Sequence, residues 1–503
     1  MDQAQFTALV ARMERLSRER PAAYKHRVLA LAVLGYVYLG LIAAVLLLLL
    51  AGALVTIRYA AIVGIKLAIG LGAFLWVVLR AMWIPLEPPV GIPLSRRDAP
   101  EFFALLDQLR ARLDTPPLHD VVVSGDFNAG IKQLPRLGWF GWHRNYLLVG
   151  LPLMKALTVP QFEAVLAHEL GHLSRGHART ANWIYRLRLI WLRLAGALEQ
   201  SRKWGSGPIR VFFRWYIPYF NACSFPLARR NEFEADASSA ALTSARTTAQ
   251  ALTNTSVMAR FLVERYWPKI RATAKDSPQP AFAPFGGLNA ATLDEIDPGD
   301  AQRWLGEAMA QPTTTADTHP ALRDRLAAMQ VSAELALPAP GQSADALLGA
   351  QARRLEARLD ADWRKAVEPS WKKAYEATQQ NRLRLAALRE QATPAPLDTD
   401  GAIELADLEE AVGAGADAAL ALRRKLLARA PDSFKAKFVL ARQLLSRGEA
   451  EGVALMEAVI RGEPQAVVPG SQMLRDYWWR KDDREQASRW HEFAVRSASP
   501  ARR

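Results

Sequence analysis

Cysteine is almost missing: the 503-residue chain has one, Cys223. A lone thiol excludes an internal disulfide framework and any multi-cysteine zinc or iron–sulfur site, which leaves histidine and carboxylate as ligands for a metal. Phosphate-binding loops, zinc-finger spacings and RNA-recognition signatures are missing too. The formal charge of +14 therefore has no nucleic-acid motif beside it, and no nucleic-acid partner is expected. Much of the basic excess flanks apolar segments, so a membrane surface explains it better. Charge is absent from Val28 to Ile57, and acidic residues are absent from Leu173 to Leu198. Half of the chain is hydrophobic, enough to build the cores of two or three domains.

The uncharged run from Val28 and a second one from Tyr59 to Leu79, broken only by Lys66, each reach the roughly 20 residues that cross a bilayer as a helix. A signal peptide would have a shorter apolar region followed by a polar mature sequence. A two-helix transmembrane hairpin over 28–83 is expected, turning near Gly52 to Arg58. Arg12, Arg15, Arg18, Arg20, Lys25 and Arg27 precede it, and Arg80, Arg96 and Arg97 follow it. Both ends, including the basic segment 1–27, are accordingly expected in the cytoplasm. Lys66 lies within about two turns of the outer end and can snorkel to the headgroups. Gly64, Gly70 and Gly72 form no nucleotide fingerprint and suit helix packing.

Three of eight histidines fall in "VLAHELGHLSRGHART", residues 165–180. His168 and His172 are four apart, so on a helix their rings share a face and one metal. Glu169 between them is placed to take a proton from a water on that face. The bland alternative is a pair of surface histidines on an amphipathic helix. Thr158 as cap, Pro160 in the first turn, and Phe162, Val165, Leu166 and Leu170 at helical spacing predict that helix. Gly171, a poor helix former, allows another segment to come close. A catalytic zinc needs a third protein ligand. His177 misses the metzincin position by one residue, because Ala178 and Arg175 stand where that pattern needs histidine and glycine. In "ARRNEFEADASSA", 228–240, Glu232 and Asp236 share a helix face. Glu232 can serve as ligand and Asp236 can orient a ligating imidazole. Alone, this run would be a solvated acidic patch.

"HELGH", then "NEFEAD" about sixty residues on, then "DTHPALRDRL", resembles the integral-membrane gluzincins that include the CAAX prenyl endopeptidases and the HtpX-type quality-control proteases. The resemblance covers about residues 90–330. It implies one Zn2+ per chain held by His168, His172 and Glu232, with Glu169 as general base and Asp236 supporting the site. It further implies that His319 stabilises the oxyanion and that Arg325 organises its segment; without it, His319-Pro320 reads as a helix entry. "SGDFNAGI", 124–131, matches more loosely the family's peptide-binding strand edge, giving Asn128 and Ala129 as substrate-edge candidates. Gly130 there permits close backbone approach or a turn.

Between the two motifs, Arg175, Arg179, Arg186, Arg188 and Arg193 accompany Trp183, Leu187, Ile190, Trp191 and Leu194 at helical spacing. Relatives commonly carry a second transmembrane pair here. The arginines make a full span costly, so 183–220 reads as helices lying on anionic lipid or covering the protease core. Beyond the linker at Pro338, Pro340 and Gly341, a charged helix over 345–392 is kinked or restarted at Pro369. Its Trp363, Val367, Trp371 and Tyr375 form a packing stripe. "ATPAPLDTD" is a second linker. Over 401–503, Pro431 and Pro464 and two parallel segments repeat at 33 to 34 residues, a period that suggests tetratricopeptide-like repeats.

These readings combine into an α+β, mainly helical chain with a transmembrane hairpin, a zincin domain over 90–330 and a helical repeat module. The expected activity is zinc-dependent endopeptidase at the inner (cytoplasmic) membrane, multi-pass, with the catalytic domain facing the cytoplasm. Misfolded or membrane polypeptides are the expected substrates, and the repeats offer a surface to a protein partner. CAAX-type cleavage is disfavoured because the many spans that enclose a lipid chamber are missing. The rival is a catalytically silent membrane scaffold, against which the intact Glu169 argues.

Overall fold

A computed structural model describes residues 2–82, 88–135, 143–174, Ile184, Leu187, Trp191, 207–289, Thr292, 295–315 and 319–498. The described chain is mainly helical with one four-stranded sheet. It divides into two compact units, Met1–Arg271 with Phe282–Lys365, and Ala272–Ala281 with Ala366–Arg503.

The first unit opens with α1 (Gln3–Glu19), whose Asp2 and Gln5 form a reciprocal capping box. Helix α2 (Pro21–Thr56) follows after Arg20. It is long and apolar enough to cross a membrane. Helix α3 (Ala61–Met82) follows directly, so the turn lies at 57–60, later than Gly52. Leucine and alanine propagate α2 through Gly52 because a single glycine costs only about 1 kcal/mol in a helix. Lys66 is exposed. Large apolar side chains along both helices, among them Leu41, Leu48, Val55, Ile62 and Ile69, face outward.

One face of α2 is covered. Met13, Tyr24, Val28, Ala32 and Leu39 pack with Leu187, Trp191, Phe213, Tyr216 and Phe220. The described part of 183–220 thus packs on the long apolar helix. Gly35 permits this: a Cβ there would stand 2.7 Å from the Trp191 ring and 2.8 Å from the Tyr216 hydroxyl. Trp183, Ile190, Leu194 and the arginines from 175 to 193 lie outside the described residues.

The sheet consists of β1 (Ile92–Leu94), β2 (Asp120–Ser124), β3 (Ala129–Pro135) and β4 (His143–Gly150), in the order β1-β2-β4-β3. β2 and β4 run parallel, and the two outer pairings are antiparallel. Strand β2 is paired on both sides, and its Val121, Val122 and Val123 are buried, which accounts for a continuous apolar run rather than an alternating one. Helices α4 (Pro100–Arg112), α5 (Leu151–Ala156) and α6 (Val159–Gly171) follow the strands. Phe102, Leu106, Val123, Leu147, Phe162, Leu166 and Leu170 form the core joining sheet to helices. The remaining helices that matter to the site are α7 (Gly207–Leu242), α8 (Ala245–Phe261), α9 (Pro298–Ala310) and α10 (Leu322–Ala328).

Helix α11 (Gln351–Gln391) runs through Pro369 without restarting. Within the first unit its early turns are tied by Glu356 to buried Lys155 at 2.5 Å and by Asp360, which accepts from the Phe285 amide at 2.8 Å. Its stripe packs as expected: Trp363 lies against Trp267, and in the second unit Trp371 is buried and donates to the Ser277 carbonyl. The second unit continues with α12 (Thr399–Val412), α13 (Ala416–Arg429), α14 (Phe434–Ser446), α15 (Glu451–Gly462), α16 (Val467–Arg480) and α17 (Arg484–Ala498). Pro431 falls between helices, and Pro464 opens a short 3-10 turn, Pro464–Ala466. Arg423 is buried and paired with Asp407 at 2.5 Å and Glu410 at 2.6 Å.

Candidate metal centre

Helix α6 starts where its local chemistry dictates. The Thr158 hydroxyl accepts from the Gln161 amide, the Gln161 side chain accepts from the Thr158 amide at 2.9 Å, and Pro160 occupies the first turn. With Phe162, Leu166 and Leu170 in the core, the 3.6-residue period turns His168 and His172 to the other side and leaves Glu169 at the border between the two faces. The helix ends at Gly171, and the His172 amide still reaches the His168 carbonyl.

The acidic run lies inside the 36-residue α7. Ser239 of α7 donates to the Ala164 carbonyl of α6 at 2.7 Å. A Cβ added to Gly171 would lie 3.3 Å from Ala235 Cα and 3.4 Å from Ser238 Cβ. The close approach expected at this glycine is made by the helix that carries Glu232.

His168 Nε2 lies 3.6 Å and His172 Nε2 3.8 Å from the two oxygens of Glu232. The two rings stand edge to face with centroids 4.9 Å apart. These separations are too long for hydrogen bonds. They approach the roughly 3.3 Å between ligand atoms that share a tetrahedral zinc at about 2.0–2.1 Å. Glu232 is 6% exposed and its Oε2 is buried with no hydrogen-bond partner, a costly state that a cation relieves. On the far side of the ring, His168 Nδ1 lies 2.9 Å from Asp236. That contact holds a proton on Nδ1 and turns Nε2, the atom that can ligate a metal once its own proton leaves, toward Glu232. His168, His172 and Glu232 offer ligand atoms within 4.8 Å of one another, and the donor set fits a metal.

The electrostatics agree. Burial opposes ionisation of Glu232, but the imidazoles of His168, His172 and His319 outweigh it and hold the carboxyl at about 2. Burial also opposes charge on His168, yet Asp236 and Glu232 prevail and raise it to about 9. For His172, burial and the charge on His168 outweigh the attraction of Glu232 and lower it to about 4. Burial raises Glu169 above the ordinary carboxylate range, only partly offset by His168. A carboxyl so placed is suited to take up and give back a proton.

His319 is brought to the same place. Its Nε2 lies 3.5 Å from Glu232 Oε2, and its side chain is 58% exposed. Arg325 on α10 is nearly buried and donates to both oxygens of Asp236, at 2.5 and 2.8 Å. Asp317 and Thr318 of the "DTHP" motif lie outside the described residues, as does His177. Ala129 opens β3, an edge strand packed beside α6. Asn128 precedes it, and its carbonyl accepts from the Gly150 amide at 2.8 Å. Gly130 lies within the strand rather than in a turn. Sequence reasoning missed Thr313, whose hydroxyl donates to Asp324 at 2.6 Å and accepts from the Ala321 amide at 2.7 Å. These bonds pin the two ends of the segment that carries His319, and the first of three threonines in "QPTTTAD" gives no signal of that.

Residues 137–333 match the model of Peptidase family M48. The matched stretch contains His168, Glu169, His172, Glu232, Asp236, His319 and Arg325. It supports a metallopeptidase of that family. No curated protein matches the chain.

Proposed function

We propose that this chain is a membrane-anchored zinc-dependent endopeptidase. The observation that carries the reading is the buried, unpartnered Glu232 oxygen facing two imidazoles, with Glu169 beside them. His168, His172 and Glu232 would hold the metal. When bound, zinc supplies Lewis acidity, bringing the pKa of a coordinated water toward about 7 and polarising a carbonyl.

Glu169, raised by burial, takes the proton of the attacking water and returns it to the leaving amine. His319 reaches the site from outside the two helices and donates to the oxygen on which negative charge develops. Asp236, held by Arg325, fixes the His168 tautomer. An extended polypeptide pairs with the outer edge of β3, with Asn128 and Ala129 at its start, through main-chain hydrogen bonds.

Helices α2 and α3 form the membrane hairpin in this reading, with the basic termini and the catalytic domain in the cytoplasm. Outward apolar side chains on both helices support it. The substrates are misfolded or membrane proteins, and the paired helices of the second unit act as tetratricopeptide-like repeats that present a partner surface. The test uses full-length protein in detergent, wild type and Glu169→Gln, with bound zinc quantified and casein as unfolded substrate. Zinc in both and cleavage by wild type alone is the expected result; zinc in neither, or equal cleavage by both, overturns the proposal.

A further inference from the structure

Helix α7 contains Pro226, six residues before Glu232. A proline inside a helix removes its own hydrogen bond and disturbs the next, here from the Leu227 amide to the Cys223 carbonyl. The hydroxyl of Tyr24, from the first turn of α2, stands in that gap. It accepts from the Leu227 amide at 3.0 Å and donates to the Cys223 carbonyl at 3.0 Å. Tyr24 is 4% exposed, so both backbone groups are satisfied away from water by a side chain about 200 residues earlier in the chain.

The same N-terminal helices grip α7 on both sides of the break. Before it, Arg27 donates to the Tyr219 hydroxyl at 2.7 Å and the Tyr216 hydroxyl donates to the Leu31 carbonyl at 2.6 Å. After it, Arg229 donates to Glu14 of α1 at 2.5 Å and to the Thr314 carbonyl at 2.8 Å, the latter in the segment leading to His319. Phe225 packs with Val10 and Phe6 of α1. Phe225, Arg229, Glu232 and Asp236 follow one another at spacings of four, three and four, so they share one stripe of α7. The stripe that α1 covers becomes, one turn later, the stripe that faces His168 and His172.

We infer that Tyr24 is a positioning residue for the metal centre: by splicing α7 at Pro226 it sets the rotation at which Glu232 meets the two histidines. The N-terminal helices are thereby part of the site's framework as well as its anchor. A slip of one residue turns an α-helix by about 100°, enough to take Glu232 out of reach of the imidazoles. The inference rests on the metal-site reading above.

The experiment compares full-length wild type, Tyr24→Phe and Tyr216→Phe in detergent. Tyr24→Phe keeps the buried ring and removes only the bridging hydroxyl. Tyr216→Phe removes a hydroxyl bond between the same two helices, away from the break. Each protein is titrated with zinc, loaded with cobalt(II) to read ligand geometry from its visible spectrum, and followed by amide hydrogen exchange over 223–236. Tyr24→Phe should weaken zinc affinity about tenfold, the low end for groups that orient a ligand from outside the coordination sphere. It should also shift the cobalt spectrum and speed exchange of the Leu227 amide, and Tyr216→Phe should match wild type in all three. Unchanged affinity and spectrum in Tyr24→Phe, or equal losses in both variants, would overturn the inference. A wild type that takes up no metal overturns the metal-site reading and this inference with it, and is recognised because the reference protein fails.

Discussion

The carboxylate of Asp236 is held by the guanidinium of Arg325 through two hydrogen bonds, at 2.5 and 2.8 Å, across 89 residues of chain. The same carboxylate oxygen that takes the shorter bond lies 2.9 Å from His168 Nδ1. Arg325 therefore acts on the metal centre through Asp236, and its Nη2 also stands 3.5 Å from His168 Nδ1.

Removing either partner should loosen the metal before it unfolds the protein. Asp236→Asn and Arg325→Met are each expected to reduce zinc affinity by about 10- to 100-fold. Arg325→Met also strips a buried carboxylate of its counter-charge, a loss of about 3–5 kcal/mol in comparable buried pairs. Competition with a chelator of known affinity and thermal unfolding with and without metal separate the two effects.

Zinc uptake should release protons. Burial opposes the charged ring, but Asp236 and Glu232 raise His168 to about 9, so without metal it is protonated at neutral pH. The metal needs the neutral ring, so binding displaces about one proton per site below pH 9. Affinity should rise about tenfold per pH unit up to that point and then level off. His172, lowered to about 4, and Glu232, held at about 2, add nothing between those limits. Calorimetric titrations in buffers of different ionisation enthalpy count the proton.

His319→Phe should leave zinc bound and lower kcat by about 10²- to 10³-fold with little change in KM, the pattern of a donor that acts on developing charge. A loss of metal instead would make His319 a ligand. Steady-state kinetics with a quenched fluorescent peptide and a metal assay on the same sample decide it.

Gly171 separates α6 from α7 by the width of a missing side chain. Gly171→Val should push Ala235 and Ser238 away and weaken zinc binding more than it lowers the melting temperature, because Glu232 moves with α7. Gly171→Ala should be mild: the helix gains up to about 1 kcal/mol in propensity, offset by a contact that needs only a small shift. Paired metal titrations and melts of the two variants give the contrast.

Much of the centre is visible without coordinates. His168, Glu169 and His172 follow from four-residue spacing on a helix whose start is written in Thr158 and Pro160. Glu232 and Asp236 pair by the same periodicity, because helical geometry is local and carries along the chain. Gly171 could be picked out as a place of close approach, though the segment that approaches could not. The stretch after His172 was open for a related reason. Periodicity shows that Leu187 and Trp191 have a buried face, but not whether lipid, the protease core or α2 buries it.

Spacing along the chain by itself determined which side chains can share a helix face, where α6 begins, and that a long uncharged run needs an apolar surrounding. Tertiary structure alone decided that Arg325 reaches Asp236, that Thr313 pins the His319 segment, and that Tyr24 closes the gap at Pro226. Each of these joins groups far apart in sequence through one donor and one acceptor. No periodicity records such a pairing, because which buried backbone group goes unsatisfied, and which hydroxyl arrives to satisfy it, depends on how whole helices pack.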